Sequence, residues 1–188
     1  MANQTRLKLL NEAYSLMCSN GYSSFSYADL AKKIGISKAS IHHHFPTKEN
    51  LGEEVICAAY EETHQKLQAI SLNFTSLMSR LEQYMHLFSQ HSELSQIPLC
   101  CSLSSEFPLL PDTIQIRTQE YFQLQINWLK TILQTAQDNG EIKADANIND
   151  LALTIIKLFE GTSIVGRVLP QQDIFQKSLR QIEFLIGS

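Results

Sequence analysis

Residues 26–51 read Ser-Tyr-Ala-Asp-Leu-Ala-Lys-Lys-Ile-Gly-Ile-Ser-Lys-Ala-Ser-Ile-His-His-His-Phe-Pro-Thr-Lys-Glu-Asn-Leu, and this stretch leaves the chain few ways to fold. Ser26 with Asp29 three places on resembles a capping box, with Asp in place of the commoner Glu, and starts a short helix. Leu30, Ala31 and Ile34 fall on one face of that helix. Gly35 stops it, because a tight bend between helices needs a positive φ, which a residue without Cβ adopts freely. Ala31 is small so that a second helix can cross close over the first. Ser37 caps this second helix, Ile41 and Phe45 point back into the small core four residues apart, and Pro46 ends it. Two short helices joined through a glycine bend form a helix-turn-helix.

The outward positions of the second helix are Lys38, Ala39, Ser40, His42 and His43, with Ser37 at its start. They offer donors, acceptors and one small apolar side chain, and no carboxylate that would repel phosphate, which is the chemistry a DNA major groove demands. Ser26, Tyr27, His44, Thr47 and Lys48 flank this set and are expected to position it on phosphates. Thr47 can cap the next helix, and the Lys48 ammonium near that helix start opposes the dipole, so a DNA phosphate is the expected anion beside it.

The run Ile-Gly-Ile-Ser-Lys-Ala-Ser-Ile-His-His-His-Phe-Pro-Thr-Lys-Glu-Asn-Leu resembles, without a gap, the DNA-reading signature of the TetR family of bacterial transcription regulators. The extension through Phe45, Pro46, Lys48 and Leu51 is what distinguishes it from a generic helix-turn-helix pattern. His42 departs from the family, which usually carries Tyr there, but keeps an aromatic hydrogen-bonding ring. The resemblance implies an all-α fold of about nine helices. It comprises a three-helix DNA-binding head, residues 1–47, and an effector-binding and dimerisation body, residues 48–188. It also implies a homodimeric repressor, released from a near-palindromic double-stranded operator by a small effector.

The net charge of -4 at pH 7 would argue against nucleic acid if it were evenly spread. Residues 1–48 hold Arg6, Lys8, Lys32, Lys33, Lys38 and Lys48 against Glu12 and Asp29, a net of +4, which leaves -8 on the rest. A basic end on an acidic body binds DNA with that end. No run of about eighteen apolar residues is present and the first residues are polar, so neither a membrane partner nor a signal peptide is expected, and the cytoplasm is the expected compartment. The Asn3 and Asn73 glycosylation patterns require secretion and are set aside.

Apolar periodicity places the first helix over residues 3–20, with Leu7, Leu10, Tyr14 and Met17 inward, and a long connecting helix over 47–70. A third stripe, Phe74, Leu77, Met78, Leu81, Met85 and Phe88, predicts a helix over 73–91. Pro98, Pro108 and Pro111 leave room for a short helix over 99–105, where Leu99-Cys100-Cys101 stands in place of the family's Gly-Cys-Leu-like segment near the effector cavity. Helices over 112–139, 149–168 and 171–186 complete the chain, and Gly161 and Gly166 predict close packing of the first of the last pair. Those last two helices are wide in their apolar faces, and the resemblance implies that they form the self-association surface, about residues 149–186. Met78, Leu81, Met85, Phe88, Cys100, Cys101, Tyr121 and Trp128 are the candidate effector-lining residues, against the alternative that Met and aromatic stripes at this spacing are core.

No cofactor, catalytic residue or metal site is expected. Cys18, Cys57, Cys100 and Cys101 have no zinc spacing, and consecutive His42, His43 and His44 point about 100° apart along a helix and cannot converge on one ion. Walker, Gly-x-Ser-x-Gly, HExxH and dinucleotide motifs are missing, which weighs against a small-molecule enzyme with a helical pocket. A thiol-based electrophile or oxidant sensor of the same fold, using Cys100 and Cys101, stays open as an alternative. So does a helix-turn-helix protein acting through protein partners, although the basic head argues against it.

Overall fold

The computed structural model describes residues 2–92, 96–169 and 171–187, and nine α-helices occur among them. These are α1 (Ala2–Asn20), α2 (Tyr27–Ile34), α3 (Lys38–His44), α4 (Lys48–Asn73), α5 (Leu77–Ser92), α6 (Leu99–Ser105), α7 (Asp112–Asp138), α8 (Ile148–Val168) and α9 (Ile174–Ile186). A 3-10 turn at Phe107–Leu109 lies between α6 and α7. The expected all-α fold is therefore observed. The chain forms two compact units, one from the start to Glu61 with Leu99–Tyr121, the other Glu62–Pro98 with the remainder from Phe122. The unit holding the helix-turn-helix is larger than residues 1–47, since it also takes in the start of α4, α6 and the first turns of α7.

In this first unit α1 packs on α2 and α6, and α2 packs on α3. The buried face of α1 is Leu9, Ala13, Leu16 and Met17, while Leu7 is 58% exposed. The expected face, Leu7, Leu10, Tyr14 and Met17, is thus rotated from the one observed. Apolar residues occupy more than one stripe of α1, and its contacts with α2 and α6 decide which stripe is covered. The Ser102 hydroxyl donates to the Met17 carbonyl at 2.5 Å, fixing α6 on α1. At Gly52 on α4 a Cβ would lie 2.7 Å from the Tyr22 ring and 3.1 Å from Ile114, so the helix passes close to its neighbours because this residue has no side chain.

The second unit is built on α5, α8 and α9, which pack pairwise around Leu81, Tyr84, Met85, Phe88, Leu129, Leu133, Ile155, Phe159 and Ile182. Tyr84 lies at the centre, its ring 5.1 Å from Phe88 and 5.8 Å from Phe159, and its hydroxyl donates to the buried Gln125 amide oxygen at 3.0 Å. A buried phenol needs such a partner. Helix α5 starts at Leu77, later than the expected residue 73, because Ser76 takes the cap: its hydroxyl accepts from the Ser79 amide at 3.3 Å. Helix α9 starts at Ile174 where residue 171 was expected. At Gly161 a Cβ meets nothing within 4 Å, so the close packing expected there is absent within the chain, and at Gly166 Ile174 stands at 3.6 Å.

Candidate nucleic-acid interface

Local chemistry builds the helix-turn-helix. The Ser26 hydroxyl accepts from the amides of Ala28 and Asp29, while the Asp29 carboxylate accepts from the Ser26 amide and hydroxyl at 2.7 Å each, which completes the capping box. The Ser26 hydroxyl and amide hold the Asp29 carboxyl below its ordinary pKa. Gly35 ends α2 with φ 77°, and its amide donates to Ala31 at 2.9 Å. Ser37 caps α3, accepting from the Ser40 amide at 3.1 Å. Ile41 and Phe45, both fully buried, anchor the inner face of α3.

The opposite face of α3 is open. Lys38, Ala39, His42 and His43 are exposed, and Ser40 and His44 are half-exposed. His42 is held in place: its ring lies 4.8 Å from the Tyr27 ring, and its Nδ1 is 3.1 Å from the Pro46 carbonyl oxygen. A hydrogen bond there puts the proton on Nδ1 and leaves Nε2 as the acceptor of the neutral ring. The outward surface of α3 therefore combines a lysine ammonium, a methyl, a hydroxyl and two imidazoles.

The flanking residues have other duties than the sequence suggests. Tyr27 was expected on phosphate, but its ring is buried and its hydroxyl points to the Phe45 and Thr47 carbonyls at 2.9 and 2.6 Å. Burial also pushes its phenol up to about 12. The Thr47 hydroxyl caps α4, accepting from the Asn50 amide at 3.0 Å and donating to the Asn50 side-chain oxygen at 2.8 Å. The Ser26 hydroxyl is occupied within its own capping box. These three hydroxyls act on the chain itself: Ser26 and Thr47 accept first-turn amides that a helix start leaves unpaired, and Tyr27 donates to the backbone where α3 ends and α4 begins.

Lys48 is half-buried. Its ammonium sits 4.6 Å from the centres of both the Tyr22 and Phe25 rings and donates to the Ser23 carbonyl at 3.4 Å. Burial lowers its pKa, against the charges of Glu106 and Asp29, which raise it. Glu106 in turn accepts from the Ser23 amide at 2.8 Å, so the turn between α1 and α2 is held from both sides. Two of the other five basic residues in 1–48 are ion-paired, Arg6 with Glu54 and Lys33 with Glu12.

The eight candidate effector-lining residues are not brought together in one unit. Leu81, Met85 and Phe88 are sealed in the core of the second unit, and Met78 packs partly buried against it. Cys100, Cys101 and Tyr121 are buried in the first. Trp128 lines a groove between α4 and α7, and the other seven do not. Sequence reading missed the α4 side of that groove, because His64, Gln68 and Ser71 look like an ordinary solvated helix face. None of the four cysteines is in a disulfide, and the Cys18 thiol is pushed up to about 12, chiefly by burial. Among the described residues no group of three His, Cys, Asp or Glu could hold a metal, and no helix is long and apolar enough to cross a membrane.

Residues 9–55 match the family model of bacterial regulatory proteins of the tetR family, and residues 78–182, more than half of the chain, match the tetracyclin repressor-like C-terminal domain. A TetR transcriptional regulator from Legionella pneumophila is similar in sequence and shape, with 30% identity, 96% of each chain covered and a TM-score of 0.87. A TetR-family regulator from Agrobacterium tumefaciens matches over 100% of both chains with 25% identity and a TM-score of 0.93. A nucleoid occlusion factor SlmA from Marinobacter nauticus is 29% identical over 147 residues, 76% of this chain and 73% of that protein. A capped and glycine-turned helix-turn-helix with an open α3 face, joined to a matching C-terminal domain, places the chain in the TetR family of bacterial DNA-binding transcription regulators.

Proposed function

We propose that the chain is a homodimeric repressor that reads a near-palindromic operator and releases it when a small effector binds. The observation that carries this reading is the open face of α3, with Lys38, Ala39, Ser40, His42 and His43 turned outward while Ile41 and Phe45 hold the inner face. Ser37 starts that face, and Lys38 and His44 make the phosphate contacts. Lys48 adds one only through donors not directed at Ser23. Ser26, Tyr27 and Thr47 act by orienting the helices. Such a repressor works in the cytoplasm with DNA and needs no catalytic step.

Self-association is supported by α8. Gly161, Ile164, Val165 and Val168 follow helical spacing along one side of it, and the last three are half to three-quarters exposed. Phe184 on α9 is 81% exposed. A soluble chain rarely leaves such a stripe uncovered, and a second copy of α8 and α9 covers it with two-fold symmetry. Dimerisation also serves function, since one seven-residue recognition helix makes few base contacts and a pair doubles them. Functionally, residues 1–47 are the reading head and 48–188 the effector-binding and dimerisation body, with α4 and α7 continuous between the compact units.

Sedimentation of the wild type and of the Val168→Asp/Phe184→Asp variant tests the assembly, with DNA binding measured on the same samples. The wild type is expected to sediment as a dimer, and the variant as a folded monomer with operator affinity reduced at least about 100-fold. A monomeric wild type that binds DNA as tightly as the variant contradicts the proposal.

A further inference from the structure

Between the second-unit halves of α4 and α7 runs a groove of about 590 Å³, a volume suited to a drug-sized molecule. Its apolar surface comes from Leu67, Leu72, Leu124 and the Trp128 indole. The indole is fixed: its N–H donates to the Ser71 hydroxyl at 2.8 Å, Ser71 donates on to the Leu67 carbonyl at 3.1 Å, and the ring leans on Tyr84 with centres 5.3 Å apart. With its N–H satisfied, Trp128 offers only a rigid aromatic surface.

The polar edge is made of amides and hydroxyls. Gln68 and Asn127 carry both donor and acceptor atoms, and Thr131 adds a hydroxyl that already donates to the Asn127 carbonyl at 3.0 Å. His64, 3.1 Å from the Gln68 amide nitrogen, is the one titratable residue among the described residues of the lining. Among the described residues no Lys, Arg, Asp or Glu lines the groove. An ionic ligand would be partly desolvated there without an opposite charge to meet it, whereas an uncharged aromatic ligand would leave no group uncompensated.

We propose that this groove binds an uncharged, flat aromatic molecule with hydrogen-bonding groups at its edge, and that this molecule is the effector. The second half rests on the reading of the chain as an effector-released repressor. Helices α4 and α7 are the two that run on into the unit bearing the helix-turn-helix. There Arg117 on α7 donates to Glu53 on α4 at 3.0 Å and Thr113 to Glu49 at 2.5 Å. A ligand seated between the two helices favours one spacing of them, and that differential affinity is what a release mechanism requires.

Two dyes of the same skeleton test the proposal on the full-length protein: neutral N-phenylnaphthylamine and its anionic relative anilinonaphthalenesulfonate. The single tryptophan of the chain reports on the site, because energy transfer from Trp128 to a bound dye needs proximity. The neutral dye is expected to quench Trp128 and to bind at least about tenfold tighter than the sulfonate. Thr131→Arg is an exposed substitution that spares the core, and it is expected to weaken the neutral dye about tenfold and to favour the sulfonate. Trp128→Phe is expected to abolish transfer while directly excited dye emission still titrates. Equal binding of both dyes, or no effect of Thr131→Arg, overturns the site.

Operator affinity measured with saturating neutral dye separates the two halves of the proposal. A loss of at least about tenfold that Thr131→Arg prevents is the expected result. Binding in the groove with unchanged operator affinity overturns the effector role and leaves the site. A loss that persists in Thr131→Arg overturns the groove as the effector site and leaves the regulator reading intact.

Discussion

The Tyr27 hydroxyl lies 2.9 Å from the Phe45 carbonyl oxygen, so the first residue of α2 clamps the last turn of the recognition helix. Its single hydrogen is shared with the Thr47 carbonyl at 2.6 Å, which ties the clamp to the start of α4 as well. Tyr27→Phe removes the donor and leaves a buried acceptor unpaired, at a cost of about 1–3 kcal/mol. Urea denaturation is expected to show that loss. Operator binding is expected to lose sequence preference while keeping its salt dependence, because the phosphate contacts survive a loosened α3. Unaltered stability in Tyr27→Phe would show that this hydroxyl does not clamp α3.

Gly52 sets the approach of α4 to Tyr22 and Ile114. Gly52→Ala is expected to destabilise the protein by about 1–3 kcal/mol despite the better helix propensity of Ala, because the added methyl overpacks a ring and a branched side chain. Thermal melting decides the sign, and a rise in Tm would mean that both neighbours yield freely.

His91 gives stability a pH dependence. Burial lowers its pKa below the ordinary 6.5, opposed by the Leu87 and Phe88 backbone and by Glu62, and reinforced by Lys66. The unfolded chain therefore binds the proton more readily than the folded one. This contribution is fully present above about pH 6.5 and is lost as pH falls toward the lowered folded value. Denaturation midpoints from about pH 7 to about pH 5 are expected to fall more steeply for the wild type than for His91→Asn. Parallel curves would show that His91 carries no such linkage.

Thiol reactivity distinguishes core cysteines from sensors. Cys18, Cys100 and Cys101 are buried and Cys57 is exposed. A coloured disulfide reagent is expected to modify Cys57 in the native protein and the other three after unfolding. Fast native labelling at Cys100 or Cys101 would favour the thiol-sensing alternative.

The helix-turn-helix was legible in the sequence because its determinants are local. The Ser26–Asp29 box, the Gly35 turn, the Ser37 cap and the Ile41–Phe45 pair each act within four residues, and each is present in the structure. The face of α1 was not legible, because neighbours distant in sequence choose among its apolar stripes. The duties of Ser26, Tyr27 and Thr47 were not legible either, since a hydroxyl in a sequence does not reveal that its partner is a nearby backbone group. The stripe of Leu81, Met85 and Phe88 fits both core and pocket, and tertiary burial makes it core. The groove beside Trp128 depends on a polar α4 face that carries no distinctive pattern.

Salt dependence tests the recognition face residue by residue. Lys38→Ala is expected to weaken binding to all duplexes and to reduce the salt slope by about one. Lys48→Ala is expected to change the slope less, because the Lys48 ammonium is held between Tyr22 and Phe25.

The proposed function turns on base reading by an exposed α3 on each of two copies. Selection of duplexes from a randomised pool by the purified full-length protein, followed by sequencing of the enriched set, separates base reading from phosphate contact alone. An enriched near-palindrome with half-sites one helical turn, about 34–36 Å, or a multiple of it apart is the expected result. Salt-sensitive binding without an enriched sequence would contradict base reading by α3.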